Sequence, residues 1–97
     1  MPTYVSLLKF TQKGIESIKE APNRIEATRT MAKAVGVEVT GIYYTLGRYD
    51  AVAILEAPDD ETAARVALAG AMKGNVTSET LRAFSADEFV KIVAKLP

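Results

Sequence analysis

Apolar residues recur at β-strand spacing in four segments of the chain. These segments are residues 4–10, 37–46, 49–57 and 76–84, and each contains β-branched or aromatic side chains. Strand side chains alternate between the two faces of a sheet. In residues 49–57, Val52 and Ile54 therefore lie on one face, and the other carries Ala51, Ala53 and Leu55. Apolar groups on both faces predict a central strand that is covered on both sides.

The first strand shows the same two-faced pattern. One face carries Val5, Leu7 and Lys9, and the other carries Tyr4, Ser6, Leu8 and Phe10. Residues 4–10 are therefore the second candidate for a central strand.

Helical spacing of apolar residues separates these strands. A short helical turn over residues 11–21 leads into a longer helix near Pro22, which ends at Gly36. The inner side of this helix is predicted to carry Ile25, Thr28, Met31, Ala32 and Val35. A second helix over residues 60–72 has an inner side of mostly small residues (Ala63, Val66, Ala67, Gly70 and Ala71), which we expect to let it lie close to the sheet. Met31 and Met72 are expected to fill the core.

A third helix closes the chain. Ser85 and Glu88 have capping-box spacing, and Phe89, Ile92, Val93 and Leu96 follow as an apolar stripe.

Three local signals mark turns and irregularities. Gly47-Arg48 predicts a two-residue hairpin loop between the second and third strands. Gly41 predicts a β-bulge or a close backbone approach. Asp59 or Asp60 is positioned to cap the second helix.

The resulting order, β-α-β-β-α-β-α, predicts a single domain over residues 1–97. It fits an α+β, ferredoxin-like fold, in which two helices cover one face of a four-stranded antiparallel sheet. The other face of the central strands would remain apolar and uncovered, which monomers generally avoid. We therefore expect a homo-oligomer, a dimer or larger, most simply with two sheets packed face to face. Alternatively, the terminal helix covers its own sheet or clasps a neighbouring subunit.

Composition narrows the function classes. The 12 basic residues balance 12 acidic ones, which argues against a dedicated nucleic-acid binder. The chain has neither cysteine nor histidine, which excludes thiol nucleophiles, histidine-based triads and the usual zinc and haem ligands. Neither a membrane span nor a secretory signal is visible, so a cytoplasmic protein is expected. No cofactor and no metal are predicted, because helix capping explains the acidic run 59–61 better than cation binding.

The sequence resembles the GYD-domain family over essentially its whole length. The signature is carried by Thr45-Leu-Gly-Arg-Tyr-Asp50, with Arg48 inside it, and by Val52-Ala-Ile-Leu-Glu-Ala-Pro-Asp-Asp60. The resemblance implies a ferredoxin-like fold of the dimeric α/β-barrel kind. It carries no assigned reaction and no agreed catalytic residues.

Arg48, Tyr49 and Asp50 of this signature have two interpretations. As a ligand site, Arg48 would bind an anion, Tyr49 would stack or donate a hydrogen bond, and Asp50 would act as acceptor or base. As a structural element, Gly47 would turn the chain, Asp50 would bond nearby backbone groups, and Tyr49 would pack.

Two charged residues within strand patterns are further ligand-binding candidates. Lys9 and Arg82 could pair with Glu56 and Glu79, or form an anion pocket between sheets beside Tyr43 or Tyr44. Alternatively, they lie at strand ends and reach solvent.

The favoured hypothesis is a non-enzymatic oligomeric module that binds a small molecule or a protein partner between or beside its packed sheets. The alternatives are a cofactor-independent enzyme, such as an oxygenase or isomerase using Tyr, Arg and Asp groups, and a purely structural subunit.

Overall fold

A computed structural model describes residues 1–97 and contains four strands and four α-helices. The strands are β1 (Thr3–Phe10), β2 (Glu38–Tyr44), β3 (Ala51–Glu56) and β4 (Val76–Ala83). The helices are α1 (Gln12–Glu16), α2 (Ala21–Ala34), α3 (Asp60–Ala71) and α4 (Ala86–Ala94), with a 3₁₀ turn at Ile18–Glu20 before α2.

The four strands form one antiparallel sheet in the order β2-β3-β1-β4. β1 and β3 are the two central strands, as their two-faced apolar pattern predicts. Their register pairs Val5 with Ile54 and Leu7 with Val52, so these four side chains share one face. The predicted α+β class and ferredoxin-like order of elements are confirmed.

The core lies between the other face of the sheet and the helices α2 and α3. Burial alternates along β3: Ala51, Ala53 and Leu55 are buried, whereas Val52 and Ile54 are only partly buried. The core consists of the buried residues Tyr4, Ala32, Val37, Ala53, Leu55, Ala57, Ala63 and Val66. Met31 packs against this cluster, as expected. We call the face under the helices the helix face and the opposite one the open face.

The predicted two-residue hairpin loop is wrong. β2 ends at Tyr44 and β3 begins at Ala51, so residues 45–50 connect them. The backbone N–H of Thr45 donates to the carbonyl of Asp50 at 2.9 Å, which closes the loop. The backbone N–H of Asp50 donates to the carbonyl of Leu8 on β1 at 2.8 Å. Gly47 has the predicted positive φ, 104°.

The predicted irregularity at Gly41 is confirmed. The β2–β3 register shifts between Val39 and Gly41, which leaves Thr40 as the extra residue of a bulge.

The expectation that Met72 fills the core is wrong. The helix α3 ends at Ala71, and the Met72 side chain is 86% exposed. Ala71, expected on the inner side, is also exposed. The chain turns at Gly74, whose φ is 78°.

The terminal helix α4 begins with the predicted capping box, formed by Ser85 and Glu88. Every residue from 85 to 97 is exposed, including Phe89, Ile92, Val93 and Leu96 of its apolar stripe. The helix therefore does not cover its own sheet, which corrects that alternative. Principal extents of 52 × 31 × 18 Å describe an elongated molecule.

Candidate functional site

The open face of the sheet presents apolar side chains from several strands. Val5, Leu7, Val52 and Ile54 form its centre and are partly buried by their neighbours. Toward the edges, Leu81 of β4 is 45% exposed and Tyr43 of β2 is 64% exposed. The structure thus shows the uncovered apolar surface that the strand pattern predicts.

One end of the open face carries three of the predicted site residues. Two cations lie near the Tyr49 ring: the Lys9 ammonium nitrogen is 6.0 Å from its centroid, and the Arg48 guanidinium carbon is 5.7 Å from it. Both distances are near the outer limit of cation–π attraction. Leu7, Thr77, Ser78 and Glu79 join the three in a shallow depression of about 210 Å³.

Asp50 follows Tyr49 directly, but its carboxylate binds a backbone N–H group. Its carboxylate accepts a hydrogen bond from the N–H of Phe10 at 2.8 Å. This N–H lies at the last residue of β1, where the ladder to β3 has already ended. The geometry agrees with the structural interpretation of Asp50.

Tyr44 lies on the opposite side of the sheet from this depression. Its ring stacks on Phe10 with centroids 6.4 Å apart and an interplanar angle of 26°. Both rings line a cavity of about 130 Å³ between the helix face and the helices α2 and α3. We call it the helix–sheet cavity.

Arg82 is remote from the other candidates. It pairs across the strands with Tyr4, on the helix face, whereas Lys9 pairs with Thr77 at the far end of β1. Its guanidinium lies 4.6 Å from the Phe84 ring centroid and 5.7 Å from that of Tyr4. It donates to the carbonyls of Thr3 and Ala83. The predicted residues therefore do not form one site.

The predicted ion pairs of Lys9 and Arg82 with Glu56 and Glu79 do not form. The one salt bridge in the chain joins Arg29 to Glu26 at 3.9 Å, on the surface of α2. Both Lys9 and Arg82 are exposed and lie near strand ends, in agreement with the solvent-facing alternative.

Three ionisable groups have shifted pKa values. The phenol of Tyr4 donates to the Asp60 carboxylate at 2.5 Å, and this bond, together with burial, raises the Tyr4 pKa. Hydrogen bonds from Thr62 lower the pKa of Asp59, the N-cap of α3. Hydrogen bonds from the backbone N–H and hydroxyl of Ser85 lower the pKa of Glu88. The hydrogen bonds of these three groups stabilise the first turn of a helix or the core, so the pKa shifts have structural causes.

The structure contains neither a metal-binding cluster nor a membrane-spanning helix. No three His, Cys, Asp or Glu side chains are grouped closely enough to hold a metal ion. None of the helices has the length and apolar character required to cross a membrane.

Comparison with known proteins assigns the family. The profile of the GYD domain matches residues 4–93. This chain belongs to the GYD-domain family. A curated relative from Thermus thermophilus, named glutamine synthetase and cystathionine beta-lyase binding protein, is 36% identical over 91 residues, covering 93% of this chain and 96% of the relative. A crystal structure from the same organism matches the GYD domain with a TM-score of 0.56 and 27% identity, over 89% of this chain and 96% of the solved one.

Sequence reasoning missed two features of this GYD domain. Leu46, in the β2–β3 loop and within the signature, is 101% exposed. The helix–sheet cavity was also missed, although Ala67 and Gly70 line it. The small residues on α3 are the available signal for the cavity, but the same residues are also compatible with close packing.

Proposed function

We propose that this protein is a non-enzymatic module that binds a protein partner, an enzyme of metabolism, and that it acts as a homodimer. The observation that carries the proposal is the similarity, over 93% of the chain, to a relative named for binding two enzymes. The proposal retains the cytoplasmic location expected from the sequence. The structure supports it with surfaces suited to contacts between proteins.

The open face supports the homodimer. Its centre is apolar, and the same face on a second copy is complementary to it in chemistry, which allows a two-fold, isologous contact. Four strands of 6–8 residues, at about 4.8 Å spacing and about 3.3 Å per residue, cover roughly 440 Å². A stable interface typically buries about 800 Å² on each partner. The sheet alone therefore gives about half of what is needed.

The helix α4 supplies the remainder in this proposal. Its stripe of Phe89, Ile92, Val93 and Leu96 is exposed in the single chain. Laying this stripe on the second copy adds apolar area next to the sheet contact and removes these exposed side chains from water. We infer that α4 clasps the neighbouring subunit.

The β2–β3 loop is the proposed contact with the enzyme partner. It presents the fully exposed Leu46 beside Arg48, whose guanidinium lies against the Tyr49 ring. Arginine and tyrosine are enriched at binding hot spots, and an aromatic platform holds the guanidinium in place. Arg48 and Tyr49 lie at one end of the open face, so in this proposal the homodimer buries the centre of the open face and the α4 stripe and leaves that end to the enzyme partner. The neighbouring Lys9 adds a second cation, which favours an acidic surface on the partner.

The dimer is tested by light scattering of the purified protein over a range of concentrations. We expect a mass of two chains for the parent and a shift toward one chain for Leu81→Gln, on the open face. The control is Leu68→Gln, which makes the same change at an exposed position of α3. A parent that stays a single chain at high concentration would exclude the homodimer.

The partner contact is tested by biolayer interferometry with glutamine synthetase and cystathionine β-lyase purified from the same host. We expect at least one enzyme to bind and Arg48→Ala to weaken binding by about fivefold or more, the effect of losing a contact worth over ~1 kcal/mol. Lys33→Ala, an exposed lysine on α2, is the control. Failure of the folded parent to bind either enzyme would refute the proposed partner class, and an unchanged affinity of Arg48→Ala would refute the loop as contact.

A further inference from the structure

The helix–sheet cavity has the dimensions and lining of a binding site for a small molecule. Its volume is about 130 Å³, close to the ~150 Å³ of an apolar cavity that binds benzene. The space exists because small residues face each other across it: Ala51 and Ala53 on the sheet, and Ala67 and Gly70 on α3.

The charged residues that line the cavity are all cationic. Arg24 and Lys73 contribute to the lining, and no aspartate or glutamate does. Arg24 is partly buried and lies in the first turn of α2. Its guanidinium donates to neutral acceptors only, namely the carbonyl of Ser17 at 2.8 Å, the Ser17 hydroxyl at 3.1 Å and the carbonyl of Gly14 at 3.4 Å. No carboxylate lies within the 4.0 Å salt-bridge distance of Arg24 or Lys73, so both cations are free to pair with an anionic ligand.

A buried hydroxyl provides a second polar contact on the wall of the cavity. Ser6 is only 6% exposed and sits on the central strand β1 among apolar neighbours. Its hydroxyl oxygen is 3.5 Å from that of Thr80, its one side-chain partner. Hydroxyl–hydroxyl bonds are normally about 2.7–2.8 Å long, so this contact is weak. A buried polar group with such a weak partner gains from a hydrogen bond to a ligand.

We propose that the helix–sheet cavity binds a small monocarboxylate whose apolar body is a single ring or a branched chain of about six to eight carbons. The body occupies the space between the small residues and contacts the Phe10 and Tyr44 rings. The carboxylate pairs with Arg24, assisted by Lys73, in a charge-assisted hydrogen bond. The cavity lies on the opposite side of the sheet from the open face, so this inference does not depend on the proposed protein-binding function.

Benzoate is the probe, and benzyl alcohol is its neutral counterpart with the same ring. Amide chemical shifts of the protein are followed by NMR during titration with each compound. We expect saturable shifts with benzoate at residues lining the cavity, and an affinity for benzyl alcohol at least about tenfold lower because the charge-assisted bond is lost. Absence of saturable shifts, or equal affinity for the two compounds, would overturn the proposal.

Two pairs of variants locate the site. Ala67→Leu fills the cavity and should abolish benzoate binding, whereas Ala64→Leu makes the same change on the exposed side of α3 and should leave it intact. Lys73→Gln should weaken benzoate and leave benzyl alcohol unchanged, with Lys33→Gln as the surface control. Lys73 is exposed, so the fold does not depend on it. Benzoate binding that persists in a folded Ala67→Leu protein would place the ligand elsewhere and refute the assignment.

Discussion

Replacing Gly14 with alanine should lower the stability of the protein, because Gly14 lies directly against the backbone that leads into β4. A Cβ at Gly14 would lie 2.1 Å from the carbonyl oxygen of Asn75, whereas real Cβ atoms essentially never approach a neighbour within 3.0 Å. The Asn75 backbone must therefore move by about 1 Å. The same carbonyl accepts a hydrogen bond from the N–H of Thr11 at 3.0 Å, which the movement would weaken.

The expected size of the effect follows from three contributions. Overpacking costs about 1–3 kcal/mol, and the weakened hydrogen bond costs about 1 kcal/mol. Gly14 belongs to α1, so the better helix propensity of alanine returns about 1 kcal/mol. The net loss is about 1–3 kcal/mol, which for a domain of this size lowers Tm by roughly 5–20 °C.

Urea denaturation followed by circular dichroism measures this loss, at one fixed protein concentration because association also stabilises the folded state. Gly70→Ala is the matched control. It lies in α3, and a Cβ there meets nothing within 4 Å. This variant should be as stable as the parent or more stable by up to ~1 kcal/mol. A Gly14→Ala protein at least as stable as the parent would refute the close contact between α1 and Asn75.

Three further predictions concern single side chains. Asp50→Ala leaves the N–H of Phe10 without its acceptor. The free energy of unfolding, measured by chemical denaturation, should therefore fall by about 1–3 kcal/mol. Unchanged stability with loss of partner binding would instead make Asp50 a binding residue. The hydrogen bond to Asp60 raises the Tyr4 pKa. The stability that this bond contributes is therefore complete below the ordinary tyrosine pKa of ~10, and it is lost as pH rises through the pKa of Tyr4 in the folded protein. Tyr4→Phe should therefore flatten the alkaline limb of a plot of unfolding free energy against pH, and an unchanged limb would contradict this role. The pKa of Glu88 is lowered in the folded protein. Its capping bonds therefore stabilise α4 above the ordinary glutamate pKa of ~4.3, and this stabilisation is lost as pH falls through the pKa of Glu88 in the folded protein. Glu88→Gln should weaken the acid dependence of α4 helicity measured by circular dichroism, and an identical acid transition would rule out the capping box as its source.

The parts of the fold that depend on local chemistry were predictable. Val52 and Ile54 alternate with Ala51 and Ala53 along one strand, so its central position follows from side-chain geometry alone. The capping box at Ser85 is likewise encoded within four residues. All the residues that determine each of these two features lie within a few positions of one another, so the features can be predicted without knowing the rest of the fold.

The errors concern where helices and strands end. The β2–β3 loop spans residues 45–50 rather than the two residues that Gly47-Arg48 indicates, and Asp50 in it bonds to β1, about 40 positions earlier in the sequence. Met72 has apolar chemistry suited to a core, but α3 ends before it. Local pattern gives no information on where an element leaves the sheet.

The candidate site was predicted less well than the fold. Lys9, Arg48 and Tyr49 do come together, because the β2–β3 loop folds back on the end of β1. Arg82 and Tyr44 lie elsewhere, since strand register and face decide which side chains meet. The helix–sheet cavity was not predicted because small residues on a helix are compatible with either close approach or open space. Only the separation of α2 and α3 distinguishes the two.

The bulge at Thr40 constrains how this protein can aggregate. β2 is an outer strand, and the extra residue breaks the regular row of unpaired amide and carbonyl groups that would otherwise template an incoming strand. Fibre-like growth by adding strands at this border is therefore disfavoured, even at high protein concentration. A mutation that removed Thr40 and restored a continuous ladder would be expected to make the protein prone to forming such fibres.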